Sequence, residues 1–203
     1  MNSKTLCWAI RTIVVLVLAV ATSSLAQERR PSHLSGTIND FTAQTGSGPT
    51  VGPWIMHGVW SLTLNETGTA DFRLAMTMEE GDFWLAANNE DPTQDPSVRS
   101  PHTHHITLKG ASVSSDTSVC PSQAPATGRF VVTGLADITG NGNPAPFQTK
   151  SGLSKLYVCI SGGTDVQYSN VTLQFESGSP ATTHFGSQAI HGVVRKVQFG
   201  DAD

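Results

Sequence analysis

The chain has 203 residues, only 14% of them charged, and a formal net charge of −4 at pH 7. Its Lys and Arg residues do not cluster into the basic patch that nucleic acids or anionic membranes require. No long segment combines high charge with few apolar residues, so the chain does not have the composition of an extended disordered region. We therefore expect a folded protein without a nucleic-acid partner.

The first residues have the pattern of a secretory signal peptide. Lys4 and Arg11 precede an apolar run over residues 13–21, and Ser24 and Ala26 then provide the small side chains that a signal peptidase reads. A membrane anchor is the alternative, but an apolar run of about ten residues is half the length that spans a bilayer. The sequence predicts cleavage after Ala26, secretion to the extracellular space or periplasm, and no membrane association afterwards.

Residues 27–203 would form the mature protein, and these 177 residues suffice for a single domain with a hydrophobic core. Apolar residues nowhere keep a helical spacing over a long stretch, and Gly and Pro interrupt the sequence throughout. Short β-branched or alternating runs predict nine strands instead. These lie at about 34–42, 55–64, 70–78, 82–87, 103–114, 128–139, 154–161, 169–176 and 189–199.

Two of these runs show the two-residue period of a strand with one buried face. Every second residue is apolar from Phe72 to Met78 and from Trp60 to Leu64. Such alternation is typical of antiparallel sheet with one solvated face. The sequence therefore predicts an all-β, single-domain antiparallel β-barrel, because closure removes the exposed sheet edges. A two-sheet β-sandwich is the alternative.

The mature chain contains two cysteines, Cys120 and Cys159, because Cys7 lies in the signal peptide. In an oxidising compartment an isolated pair predicts a disulfide. The alternative, that both are metal thiolates, suits an intracellular protein better. Asn65 and Asn170 begin Asn-x-Thr sequons, which would be glycosylated only in a host that has the machinery.

The histidines carry the clearest functional signal, and all seven lie in the mature chain. His102 and His104 begin a predicted strand that continues with the apolar Ile106 and Leu108. Because side chains alternate along a strand, these four residues share one face, which predicts that both imidazoles point to the interior. His105 should point outward.

Two interior imidazoles two positions apart can converge on one ion, and neutral imidazole is a good ligand for copper, iron or zinc. The predicted site holds one such transition-metal ion, with His102 and His104 at its centre. Further ligands must come from elsewhere, and the candidates are His184, His191 and His57. His57 and His191 each stand in an apolar-His-Gly-Val tetrapeptide, and pairing of an early with a late strand would bring them close together.

The pattern matches no familiar catalytic motif. The His-x-His pair lacks the glutamate that follows it in cupins, and zinc-finger, H-E-x-x-H, P-loop, dinucleotide and G-x-S-x-G patterns do not occur. We expect a metalloprotein with a small-molecule ligand or substrate. If it is an enzyme, we expect a metal-dependent oxidoreductase or hydrolase. The alternatives are a metal-free barrel that binds a small apolar ligand, as a binding protein or cofactor-free isomerase or cyclase, and a structural or surface-interaction protein.

Overall fold

The computed structural model describes residues 31–42, 54–80, 102–121, 127–141, 153–162 and 168–200. These residues form nine strands and one short helix. In chain order they are β1 (Pro31–Thr42), β2 (Trp54–Leu64), β3 (Thr69–Glu80), β4 (His102–Ser114), β5 (Thr127–Leu135), β6 (Asp137–Asn141), β7 (Lys155–Gly162), β8 (Asn170–Phe175), α1 (Thr182–Phe185) and β9 (Ile190–Phe199). The described part of the chain contains no helix long and apolar enough to cross a membrane.

Eight strands close into an antiparallel barrel in the order β1-β2-β3-β4-β5-β7-β8-β9. The barrel closes where β9 returns to β1, with Leu34 opposite Val197 and Thr37 opposite Val193. The additional strand, β6, pairs with the first half of β4. The predicted β-barrel is therefore confirmed, and the sandwich alternative is not what the chain forms.

The predicted strands agree with the observed ones except at two places. The predicted strand 82–87 lies outside the described residues. The predicted strand 128–139 is interrupted at Ala136, whose N–H donates to the carbonyl of Ser154 at 2.8 Å. The interruption separates β5, which pairs with the end of β4, from β6, which pairs with its beginning.

A β-bulge in β4 keeps its apolar residues directed at the core. Leu108 and Ala111 are both buried although an odd number of positions separates them. Between them Gly110 adopts a φ of 57°, a conformation that favours glycine, and its N–H donates to Asp71 Oδ1 at 2.7 Å. The extra residue turns the apolar side chains that follow it back toward the interior, so the whole of β4 contributes to one core.

The barrel interior is filled by the inward side chains of its strands. Gly36 on β1 lies opposite Trp60 on β2, and a Cβ at Gly36 would collide with the carbonyl oxygen of Val193. The close approach of β1 and β9 at this point therefore requires a glycine. The largest fully buried side chains are Phe72, Phe185, Leu34, Ile38, Met56, Leu62, Leu74, Met78, Ile106, Leu108, Ile138 and Leu156.

Cys120 and Cys159 form the predicted disulfide. On β7 the core residues Val158 and Ile160 point inward, so Cys159 between them faces the outer side of the barrel. Val131, opposite Cys159 on β5, is also buried, at 1% exposure. The disulfide therefore fastens the segment that follows β4 to the outer face of β7.

Candidate metal centre

His102 and His104 enter the barrel interior from the beginning of β4. They are 7% and 0% exposed, whereas Thr103 between them faces outward and His105 is exposed. The alternation predicted from the apolar residues that follow is thus confirmed. On the neighbouring strand β3 the two histidines lie opposite Met78 and Met76, respectively.

His184 reaches the same place from α1, which lies between β8 and β9. The helix is only one turn long, but the adjacent Phe185 is fully buried and stacks on Phe175 of β8, with 5.2 Å between the ring centroids. Just before the helix, the N–H of Ala181 donates to the buried Ser154 Oγ at 3.2 Å. These contacts fix α1 against the barrel, and His184 is consequently 4% exposed.

The three imidazoles meet through their Nε2 atoms. Nε2 of His184 lies 3.2 Å from Nε2 of His102 and 2.9 Å from Nε2 of His104. All the ligand atoms that the three residues offer lie within 4.8 Å of one another. Since metal–nitrogen bonds of about 2.0–2.1 Å place tetrahedral ligands about 3.3 Å apart, only small side-chain movements would surround one ion.

Hydrogen bonding accounts for only part of this arrangement. In a neutral imidazole each ring nitrogen carries either one proton or one lone pair. Nε2 of His184 can therefore form a strong hydrogen bond with His102 or with His104, yet it lies within 3.2 Å of both. A metal ion would accept a lone pair from each of the three rings at once.

The site keeps His104 in the neutral form that a metal requires. Burial, followed by the positive charge that His184 and then His102 would carry, lowers the pKa of His104 from 6.5 to about 3. The backbone of Thr139 acts in the opposite direction and raises this pKa. At neutral pH the His104 ring is therefore uncharged and has one nitrogen lone pair available.

Aromatic rings enclose the cluster. Trp54 is 2% exposed and lies edge-on to His102, with 4.8 Å between centroids, and 5.9 Å from His184. Phe185 lies 4.9 Å from both His104 and His184. These rings limit the rotation of the imidazoles and shield them from solvent, as in the apolar shell that commonly surrounds a metal site.

The structure does not bring the other two candidate ligands into this cluster. His57 is exposed, and His191 has a side chain that is 52% exposed and an Nδ1 atom 3.0 Å from Asp40 Oδ2. Both occupy outward positions on their strands, next to the inward Met56 and Ile190. They also do not pair with each other, because β1 lies between β2 and β9.

The sequence indicated the three clustered histidines but not which aromatic residues surround them. Trp54 was recognisable as inward-facing, since it stands two positions before the apolar Met56 at the start of β2. The contact of Phe185 with two imidazoles had no such signal, because it depends on how α1 folds back onto the barrel. The same holds for the backbone of Thr139.

The chain matches no protein-family model, no curated protein and no solved structure. The geometry and chemistry of the histidine cluster are therefore the basis for a functional proposal.

Proposed function

We propose that this protein binds one transition-metal ion through the Nε2 atoms of His102, His104 and His184. The observation that carries the proposal is the convergence of three buried imidazoles on one point, with Nε2 of His184 at 2.9 and 3.2 Å from the other two. Burying three imidazoles together is unfavourable unless their polar atoms are satisfied. One ion would bind one nitrogen of each ring at the same time.

The donor set narrows the kind of ion. Three neutral nitrogens suit zinc, copper, iron or nickel, whereas calcium and magnesium require oxygen ligands. No Asp or Glu among the described residues joins the group. The described ligands therefore lack the carboxylate of the two-histidine, one-carboxylate site that non-haem iron enzymes use, which makes copper and zinc the better candidates.

Three histidine ligands also leave room for a reaction. Catalytic zinc sites hold the ion with three protein ligands and keep one position for water or substrate. The proposed activity is accordingly hydrolytic with zinc and oxidative with copper. Such an activity would require access for a small-molecule substrate at the end of the barrel where β3 ends and β4 begins.

The test is a metal analysis of the full chain produced with its own N-terminus in an exporting host, without a polyhistidine tag. After dialysis, elemental mass spectrometry should find about one equivalent of copper or zinc, because three imidazole nitrogens without a carboxylate favour these ions. The variant His102→Ala/His104→Ala should lose it. The matched control, His57→Ala/His191→Ala, removes two exposed histidines and should retain it.

Two outcomes would contradict the proposal. The first is a wild-type protein that holds no metal and takes up none on titration with zinc, copper(II) or copper(I). The second is equal metal content in both double variants, since surface binding would then explain the ion. A metal-free cluster, in which Nε2 of His184 forms one strong hydrogen bond with either His102 or His104, would then be the better interpretation.

Export is part of the same proposal. The Cys120–Cys159 disulfide supports an oxidising compartment, and the predicted signal peptide, residues 1–26, lies outside the described residues. N-terminal sequencing of the protein recovered from the medium or periplasm should begin after Ala26. An uncleaved N-terminus in the exported protein would contradict the predicted cleavage site.

A further inference from the structure

We propose that the metal of this site is copper in its reduced state, and that a methionine of β3, Met76 or Met78, supplies a thioether ligand beside the three histidines. This inference rests on the proposed three-histidine site, and it assigns the fourth position, left open above for water or substrate, to a thioether sulfur when the ion is copper(I). It follows from where the methionines of the chain are placed.

The sequence has four methionines, and the three that follow Met1 all lie at the end of the barrel that holds the histidine cluster. Met78 lies directly opposite His102 on the adjacent strand, and Met76 directly opposite His104. Directly opposite residues on one face of an antiparallel pair have Cβ atoms about 4.5–5.5 Å apart. The three flexible bonds of a methionine side chain allow its sulfur to cover that distance.

The third methionine, Met56, is one strand further away. It lies on β2 opposite Met78 and is fully buried, as Met78 is, while Met76 is 3% exposed. Elsewhere the described core consists of Leu, Ile, Val, Ala and aromatic residues. Methionine commonly fills irregular gaps in a core, but that role does not explain why all three lie at the histidine end.

The remaining chemistry of the site favours a soft, singly charged ion. Among the described residues no carboxylate or thiolate joins the three histidines, so thioether sulfur is the additional donor that the neighbouring strand offers. Thioethers select copper(I) over the harder divalent ions. The enclosing Trp54 and Phe185 act in the same direction, because a dry, apolar shell penalises a doubly charged ion more than a singly charged one.

The test compares copper(I) and zinc(II) affinities of the full chain. Copper(I) is titrated anaerobically in competition with a chromophoric chelator, and zinc(II) in competition with a zinc indicator. The variants are Met76→Leu, Met78→Leu and their combination, with Met56→Leu as the matched control. Leucine nearly conserves the volume, so the barrel should tolerate each change.

We expect the combined variant to lose copper(I) affinity by about tenfold or more, the size of effect that altered metal environments produce. Zinc(II) affinity should stay at the wild-type value, and Met56→Leu should leave both affinities unchanged. The single variants identify which sulfur is the ligand. X-ray absorption of the copper(I)-loaded wild-type protein should show a sulfur neighbour in addition to nitrogen, which tests the same point without any substitution.

Unchanged copper(I) affinity in the combined variant, or an equal loss in Met56→Leu, would overturn the thioether ligand. So would a copper(I) spectrum with nitrogen neighbours alone. In each of these cases the three-histidine site would still be supported if the protein bound zinc and the His102→Ala/His104→Ala variant did not. Failure of the wild-type protein to bind either ion would instead contradict the metal site itself.

Discussion

Acidification should destabilise the metal-free protein through His104, because the folded protein resists protonating this ring. Burial, together with the charges of His184 and His102, lowers its pKa to about 3, whereas an unfolded chain has the ordinary value of 6.5. Between these values the unfolded state binds a proton that the folded state does not bind. The free energy of unfolding therefore falls as the pH falls, by up to about 1.4 kcal/mol per pH unit.

The loss in the free energy of unfolding can be calculated for an experimentally accessible pH range. Between about pH 7.5 and about pH 5, where most carboxylates remain ionised, His104 should lower the free energy of unfolding by about 2 kcal/mol. Urea unfolding followed by tryptophan fluorescence, in the presence of a chelator, measures this quantity at each pH. The variant His104→Gln should lose about 2 kcal/mol less than the wild type over the same range. His105→Gln changes the exposed neighbour on the same strand and should follow the wild type.

Parallel pH profiles for the wild type and His104→Gln would show that His104 does not cause the loss of stability, whatever the absolute stability of the variant. A second measurement needs no substitution. The imidazole NMR signal of His104 should not titrate between about pH 7.5 and about pH 5 in the folded metal-free protein. A titration midpoint near the ordinary value would show that the ring is not protected by burial.

Three further changes test the fold around the site. Reduction of the Cys120–Cys159 disulfide, which closes a loop with a sequence separation of 39 residues, should lower the free energy of unfolding by about 4 kcal/mol; an unchanged urea midpoint in reductant would contradict this. Phe185→Ala should destabilise the protein by about 3–5 kcal/mol and also weaken metal binding, because Phe185 fixes the helix that carries His184; retained metal affinity would show that the helix is positioned by other contacts. Gly36→Ala should destabilise by about 3 kcal/mol or more, since the new Cβ would meet the Val193 carbonyl; thermal unfolding at the wild-type temperature would contradict the close approach of β1 and β9.

Much of the fold could be predicted from local pattern. The two-residue period from Phe72 to Met78 identified both the strand and its buried face, because the alternation of side chains is a local property of extended backbone. The interruption at Ala136 could not be predicted, since it depends on a hydrogen bond to the distant Ser154. The direction change at Gly110 likewise depends on Asp71 of the neighbouring strand.

The sequence alone was enough to establish that His102 and His104 point together into an apolar interior. They share the parity of Ile106 and Leu108, and the apolar residues cannot face the solvent without loss of the core. It also determined that Cys120 and Cys159 were available to pair.

Which other histidine joins His102 and His104 depends on the tertiary structure. His184, His191 and His57 were equal candidates along the chain, and α1 brings His184 inward because burial of Phe185 pulls the helix against the barrel. The strand positions of His57 and His191 turn both to the outer surface. Likewise the pairing of β3 with β4 was needed to place Met76 and Met78 opposite the histidines. A periodic pattern fixes the direction of a side chain, whereas its neighbours depend on strand register and on contacts between residues far apart in the chain.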